Sequence, residues 1–263
     1  MRINRTLQRL KRGETVLGCA MQCYRSSEIP RVFAAAGFDY FFIDLEHAGF
    51  DLETAQDMIA AGVAAGITPV VRVTELHYSL VARLLDVGAQ GIIFPRVEDP
   101  ALLAEALSWM RYPPAGKRGF GILPPVLDYE QQSMAAVMKH LNENTLAVVQ
   151  FETKLAMDRV DELLSVPGVD VAMVGPADLS VSLGVPGQFD DPGLVGTVER
   201  FITKCEDYRV APGIHCRNVA LALPWMNRRM RFIGAGSEQA MLLDKARQDA
   251  AELKAALPAA AAH

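Results

Sequence analysis

The chain has few cysteines, no excess of positive charge and no long apolar run, and each of these shortages excludes a class of protein. The four cysteines among 263 residues form neither a CxxC pair nor a dense framework, so we expect reduced thiols in a cytoplasmic protein. A net charge of −5 lacks the basic footprint of a nucleic-acid-binding protein. No segment approaches the roughly 18 consecutive apolar residues that a membrane span needs.

What the chain does contain is a hydrophobic fraction of 51%, arranged as short apolar runs that alternate with helix-length amphipathic segments. Runs that are hydrophobic throughout are typical of parallel strands covered on both faces. The predicted strands are Val16–Met21, Tyr40–Ile43, Pro69–Val73, Gly91–Phe94, Leu146–Phe151, Val169–Val174, Ala211–Ile214 and Arg231–Ile233. Eight such strand–helix units predict a single (β/α)8 barrel with right-handed crossovers. A doubly wound open sheet is the alternative, but it normally carries a glycine-rich nucleotide turn after its first strand, and Gly18-Cys19-Ala20 shows none.

One connection is much longer than the others, and the chain ends need separate assignment. Between Phe94 and Leu146 lie one helix, the Pro/Gly-rich stretch 112–125 and a second helix near 129–141. The basic segment 113–121 fits a lid or a binding site for an acidic substrate group, and it fits a solvated loop equally well. Within the single domain of residues 1–263, we predict an N-terminal arm over 1–14, a C-terminal helix over 237–256 opened by Gly234–Ser237, and a frayed tail over 257–263.

Polar residues gather where the predicted strands end, which is the rim at which barrel enzymes build their active sites. They are Asp44, Glu46, His47, Arg72, Gln150, Glu152, Asp178 and His215. Glu152 and Asp178 are hard oxygen ligands that leave several coordination positions open, an arrangement typical of Mg²⁺ or Mn²⁺. Each residue alone has an ordinary interpretation as well. A carboxylate at such a position also fits a helix cap or turn, and Asp44 next to Glu46 fits ordinary loop charge.

These segments together resemble the class II pyruvate aldolases of the HpcH/HpaI family. The resemblance is carried, in order, by Phe42–Ala48, Pro69–Val73, Leu85–Ile92, Arg111–Gly119, Gln150–Thr153 and Gly175–Ser180. It spans the chain from about residue 15 to residue 245. It implies a barrel of the phosphoenolpyruvate/pyruvate superfamily type.

The resemblance also implies a site for a divalent cation and a 2-keto acid. Glu152 and Asp178 would hold the cation, which is Mg²⁺, Mn²⁺ or Co²⁺, and Arg72 would hold the keto oxygen and stabilise an enolate. The implied substrate-binding residues are Gln150, Gly175, Pro176, Ala177, Asp178 and His215.

The implied catalytic base is His47. Asp44 would orient it, helped by Asp86 of the partner subunit. Members of the family are typically homohexamers, built as trimers of dimers, in which the C-terminal helix packs on a neighbouring subunit.

The function that these residues predict is a metal-dependent aldolase acting on a 2-keto acid and an aldehyde. Two departures from the family pattern, the turn Gly49–Leu52 and His215, leave the aldehyde open and allow hydroxypyruvate in place of pyruvate. Decarboxylation of a 2-keto diacid such as oxaloacetate at the same site is one alternative. A non-catalytic barrel that binds a keto acid is another. A Schiff-base aldolase is not expected, because none of the predicted strands contains a lysine.

Overall fold

The computed structural model describes residues 1–257. In this part of the chain, eight parallel strands pair in chain order, and β1 pairs with β8 to close a barrel. The strands are β1 Val16–Met21, β2 Tyr40–Asp44, β3 Thr68–Arg72, β4 Gly91–Phe94, β5 Leu146–Phe151, β6 Val171–Val174, β7 Ala211–Cys216 and β8 Phe232–Ser237. The predicted barrel is confirmed, and the open doubly wound sheet is excluded.

The helices follow the strands in sequence and surround the barrel. They are α1 Arg5–Lys11, α2 Glu28–Ala35, α3 Leu52–Ala65, α4 Tyr78–Asp86, α5 Pro100–Ser108, α6 Met134–Asn144, α7 Lys154–Asp158, α8 Val160–Leu164, α9 Pro176–Ser182, α10 Pro192–Asp207, α11 Val219–Met226 and α12 Glu238–Ala255. Side-chain caps fix several of their first residues, because they satisfy N–H groups that have no partner inside the helix. Asp51 Oδ1, for example, accepts from the Thr54 N–H at 2.8 Å at the start of α3. No helix of residues 1–257 is long and apolar enough to cross a membrane.

The alternation of side chains along the strands produces two hydrophobic cores. Residues that point inward fill the barrel itself, among them Tyr40, Phe42, Val148, Met173 and Phe232. Residues that point outward pack with the helices in a second, larger core. Because both faces of each strand are covered, the strands read as continuous apolar runs in the sequence.

Several predicted boundaries were wrong by one or more residues, and two of them concern the final helix and the long connection. The segment Gly234–Ser237 belongs to β8, and the final helix begins at Glu238 with Ser237 as its N-cap. The second helix of the long connection begins at Met134, five residues after the predicted start. Asp128 and Tyr129 have φ values of 51° and 57°, a left-handed conformation that cannot continue a right-handed helix.

The basic segment of the long connection does not lie free in solvent. The Arg118 side chain is 1% exposed, and its guanidinium lies 4.7 Å from the centre of the Tyr112 ring. Its Nη2 donates to Asp86 Oδ1 at 2.7 Å. The segment is therefore anchored to the end of α4. Of the predicted frayed tail, only Leu257 lies within the described residues.

Candidate active site

Two charged side chains from neighbouring strands form an ion pair at the carboxyl-terminal rim of the barrel. Asp44 ends β2, Arg72 ends β3, and the two residues are register partners. Arg72 Nε donates to Asp44 Oδ1 at 3.0 Å, and Nη2 donates to Oδ2 at 2.6 Å. Burial acts to raise the pKa of Asp44, but the hydrogen bonds and the charge of Arg72 outweigh it and lower the pKa. The pair fixes the guanidinium above the Phe42 ring, 5.6 Å from its centre.

The turn after β2 carries His47, and Asp44 holds this turn. Asp44 Oδ1 accepts hydrogen bonds from the backbone N–H groups of Glu46 and His47, each at 3.1 Å. The His47 imidazole is 60% exposed, and its Nε2 lies 3.7 Å from Glu46 Oε2. Within residues 1–257, the contact of Asp44 with His47 therefore runs through the backbone, and the imidazole faces outward beside Glu46.

Glu46 is a further carboxylate at the rim, to which the sequence interpretation gave no role in the site. Its side chain is 11% exposed, and Oε2 lies 3.2 Å from Arg72 Nη1. Burial raises the pKa of Glu46, while the charges of Arg72 and His47 oppose the rise. Glu46 thus neutralises the outer side of the Arg72 guanidinium and borders His47. Its place in Asp-Leu-Glu-His, directly after a strand, was the signal that could have identified it.

Glu152 follows β5 and is buried. Its Oε1 accepts from the backbone N–H of Arg96 at 2.8 Å, and Arg96 has a left-handed φ of 51°, which is uncommon for a non-glycine residue. Its Oε2 accepts from Gln150 Nε2. Burial raises the pKa of Glu152, the Gln150 hydrogen bond opposes this, and the charges of Glu46 and Asp178 add to the rise.

Asp178 lies in the first turn of α9, directly after β6. The chain enters this helix through Gly175 and Pro176. A Cβ atom on Gly175 would lie 2.9 Å from both Gln150 Nε2 and Glu152 Oε2, which is closer than real Cβ atoms come. The glycine is therefore needed for β6 to pass this close to the Glu152 carboxylate.

The carboxylates fit a divalent cation. Glu152, with Asp178 and Glu46 nearby, concentrates negative charge in a buried place, and a cation would relieve that repulsion. Carboxylate oxygens are the ligands that Mg²⁺ and Mn²⁺ prefer. Residues 1–257 contain no group of three or more His, Cys, Asp and Glu side chains arranged to hold a metal. A cation held by the two sequence-predicted ligands, Glu152 and Asp178, would have its other positions open to substrate and solvent.

A cavity of about 640 Å³ opens at this rim. The predicted site residues that line it are His47, Arg72, Gln150, Gly175, Pro176, Ala177, Asp178 and His215. His215 lies within β7, one residue beyond the predicted end of that strand. Away from the rim, the cavity continues between α10 and α11, where Leu194, Val198 and Trp225 give it an apolar wall. The structure thus gathers eight of the predicted positions around one space.

Asp86, which is predicted to reach the site from a partner subunit, does not lie at this rim in its own subunit. It ends α4, near the amino-terminal end of β4, whereas Glu152 lies at the carboxyl-terminal end of β5. Its carboxylate accepts a hydrogen bond from Arg118. A contact with His47 would need the partner subunit.

Two residues that the sequence interpretation missed support the rim from outside the cation site. Gln22 follows β1, and its Nε2 donates to Asp44 Oδ2 at 2.9 Å. Glu238, buried at the start of α12, accepts from the backbone N–H groups of Gln22 at 3.0 Å, Cys23 at 2.5 Å and Tyr24 at 2.9 Å. The final helix therefore fixes the loop from which Gln22 reaches Asp44. Gln22 was detectable as a polar strand end, but no local pattern marked Glu238.

A closed (β/α)8 barrel with carboxylates, an arginine and a histidine at its carboxyl-terminal rim defines an enzyme of the TIM-barrel class. The family model described as HpcH/HpaI aldolase/citrate lyase matches residues 25–244. The chain belongs to this family.

Individual relatives agree with this assignment along nearly the whole chain. The hydroxypyruvate/pyruvate aldolase of Roseobacter denitrificans is 31% identical over 259 residues, covering 96% of this chain and 98% of the relative. The 4-hydroxy-2-oxo-heptane-1,7-dioate aldolase of Escherichia coli is 32% identical over 240 residues, covering 89% and 88%. The crystal structure of an HpcH/HpaI aldolase from Desulfitobacterium hafniense superposes with a TM-score of 0.90 at 28% identity, covering 95% of this chain and 96% of that one.

Proposed function

We propose that the protein is a class II aldolase, an aldehyde-lyase that cleaves or forms 2-keto-4-hydroxy acids through the enolate of pyruvate or hydroxypyruvate. The observation that carries the proposal is the grouping at one cavity of a fixed guanidinium, an imidazole and two acidic residues. Arg72, His47 and Asp178 line the cavity. Glu152 is hydrogen-bonded to Gln150, which also lines it. The family relatives named as aldolases support the same reaction class.

Arg72 is the residue proposed to hold the keto oxygen. Loss of a proton from the carbon next to a carbonyl produces an enolate, and so does cleavage of the following carbon–carbon bond. Either step needs stabilisation of the negative charge that develops on the enolate. Asp44 and Glu46 fix the guanidinium on two sides, so that it loses little freedom when substrate binds. A divalent cation (Mg²⁺, Mn²⁺ or Co²⁺) bound by Glu152 and Asp178 would add positive charge at the same keto acid oxygens.

His47 is the proposed base. In the cleavage direction it takes the proton of the C4 hydroxyl, the C3–C4 bond breaks, the aldehyde leaves, and the bonding electrons remain in the enolate. Glu46 Oε2, 3.7 Å from His47 Nε2, stabilises the imidazolium that forms. The His47 imidazolium then gives this proton to C3 of the enolate, which produces the free keto acid and restores the neutral base. Condensation is the reverse of these steps.

The remaining predicted residues are proposed to bind the substrate carboxylate and the chain beyond it. The backbone N–H groups of Ala177 and Asp178, in the first turn of α9, have no partner inside the helix. Together with Gln150 they offer donors on one side of the cavity. The apolar wall between α10 and α11 leaves room for the rest of the aldehyde.

The proposed assembly is a homohexamer in which α12 is exchanged between subunits. This helix packs against β1 and β8, and its residues 242–255 are exposed. Leu242, Leu243 and Leu253 on it are 45–72% exposed. Burial of these side chains against a neighbour would stabilise an oligomer by the hydrophobic effect. The 60% exposure of the His47 imidazole leaves space for Asp86 of the partner subunit to approach it.

The proposal is tested by following enolisation and cleavage with purified protein. With Mg²⁺, Mn²⁺ or Co²⁺ we expect exchange of the C3 protons of pyruvate in D₂O, and EDTA should abolish it. Borohydride with pyruvate should trap no covalent adduct. His47→Gln should lower the rate about 10²–10⁴-fold, the usual contribution of a general base. His140→Gln, at a histidine on α6 whose Nε2 lies 2.8 Å from the Arg2 carbonyl oxygen, is the matched control.

The same assay separates the alternatives. Faster turnover of oxaloacetate than of any 2-keto-4-hydroxy acid would make decarboxylation the main activity. Tight binding of pyruvate without exchange at any metal concentration would indicate a binding protein. Trapping by borohydride together with activity in EDTA would contradict the metal-dependent reaction.

A further inference from the structure

The barrel leaves a fitted space for the imidazole of His215. The register partner of His215 on β8 is Gly234, and a Cβ atom on Gly234 would overlap His215 Nδ1. The opposite side of the ring lies edge-on to Phe42, with ring centres 4.9 Å apart and planes at 82°. A glycine and an aromatic ring thus fix the imidazole at the inner end of the cavity.

The two ring nitrogens of His215 have different surroundings. Nδ1 is buried and has no hydrogen-bond partner among residues 1–257. Nε2 makes no hydrogen bond with those residues either, but it is not among their buried unpartnered atoms. Because the residue lines the cavity beside Arg72 and Gln150, Nε2 is the atom that a ligand can reach.

The imidazole is neutral at physiological pH. Burial lowers the pKa of His215 to about 4, with a further contribution from the charge of Arg72 and a smaller opposing one from Asp44. A neutral ring carries one N–H donor and one acceptor nitrogen. The proton is better placed on Nε2, because an N–H at Nδ1 would be buried without an acceptor.

We propose that His215 selects 2-keto acids that carry a hydroxyl group on the carbon next to the keto carbon, of which hydroxypyruvate is the smallest. This inference rests on the proposed function, since it assigns the donor of that reaction. Phe42, which packs against the imidazole, and Met173 are apolar parts of the cavity lining. A hydroxyl buried there without a partner is unfavourable, whereas the methyl group of pyruvate needs none.

The inference concerns donor choice and not the chemical step. His215 does not replace His47 as the base, because its buried pocket disfavours the imidazolium that a base forms when it takes up a proton. Removal of its N–H should therefore lower hydroxypyruvate turnover more than pyruvate turnover. The expected signature is a change in the ratio of the two donors.

The test compares C3 proton exchange of hydroxypyruvate and pyruvate by NMR in D₂O, with Mg²⁺-loaded protein and the uncatalysed rates subtracted. For His215→Leu, we expect the kcat/KM ratio of hydroxypyruvate to pyruvate to fall about tenfold or more, the loss typical of an unpaired buried hydroxyl. His215→Gln keeps an N–H donor at similar reach and should preserve most of the ratio. His215→Met, a second apolar replacement with a more flexible side chain, repeats the test independently of how the leucine variant folds.

An unchanged ratio in both apolar variants overturns the proposal. Equal losses for both donors also overturn it, because they would show a general structural role. If the wild-type protein exchanges neither donor with Mg²⁺, Mn²⁺ or Co²⁺, the proposed aldolase function itself fails. That result is distinguishable from wild-type exchange of both donors with no effect of the His215 variants.

Discussion

Replacement of Asp44 by asparagine tests whether the buried ion pair organises the rim. The Asp44 side chain is fully buried and that of Arg72 is 10% exposed, so Asp44→Asn leaves a buried guanidinium without its main counter-charge. Loss of one partner of a buried pair costs about 3–5 kcal/mol. Glu46 Oε2, 3.2 Å from Arg72 Nη1, still neutralises part of the charge. We therefore expect the lower end, a loss of about 3 kcal/mol in the free energy of unfolding.

Urea unfolding at fixed protein concentration and neutral pH measures this loss. Asp51→Asn is the matched control, because Asp51 is an exposed N-cap and asparagine caps helices about as well as aspartate does. The pKa of Asp44 is lowered in the fold, so its contribution is present above the unfolded pKa and is lost as the pH falls through the folded value. The difference between wild type and Asp44→Asn should shrink in acid. A loss below about 1 kcal/mol at neutral pH would refute the reasoning, since it would fall outside the range for a buried pair.

Two further predictions concern the Glu152 carboxylate. In EDTA at neutral pH, Glu152→Gln should raise the urea midpoint above that of wild type. The pKa of Glu152 is raised by burial, so the contribution of this group to stability is greatest below its unfolded pKa and is lost as the pH rises through the folded one. An unchanged or lower midpoint for Glu152→Gln would contradict this. Gly175→Ala should lower kcat/KM about tenfold or more, because its Cβ displaces Glu152 or Gln150 and small misplacements at an active site are costly. Gly184→Ala, where a Cβ meets nothing within 4 Å but φ is +78°, controls for added backbone strain, and equal activity of Gly175→Ala and wild type would refute the contact.

The barrel was predictable because its signal is local and repeated. Each strand is covered on both faces, so its apolar run stands out between helix-length segments, and the alternation continues from Val16 to Ile233. Residues at strand ends then fall at one rim by topology alone. The place of Arg72, Glu152 and Asp178 at this rim follows from the sequence on that ground.

What sequence could not provide are contacts that depend on side-chain direction or on distant segments. Glu46 and Asp44 are two residues apart, yet whether both turn inward depends on the turn that Asp44 itself stabilises. The bond from Gln22 to Glu238 joins residues separated by 216 positions, because the last helix starts where the barrel closes. The start of α6 was misplaced because a left-handed turn at Asp128 interrupts the pattern.

Within one subunit, the His47 imidazole is exposed and Asp86 lies away from it. Asp86 is bound to Arg118 in its own chain, and only an assembly can bring it to the rim of another barrel. The role of Asp86 that the family resemblance implies therefore depends on an oligomer. The size of the oligomer in solution bears directly on it.

Calorimetric titration with Mn²⁺ tests the central claim most directly, because it measures cation binding by Glu152 and Asp178 without any assumption about the substrate. Wild type should bind one Mn²⁺ per subunit, more tightly when pyruvate is present. Glu152→Gln and Asp178→Asn should each weaken binding by about 10–100-fold or more, since ligands matter at least as much as the residues that orient them. Mn²⁺ binding of wild-type strength in both variants would contradict the assignment of these two carboxylates.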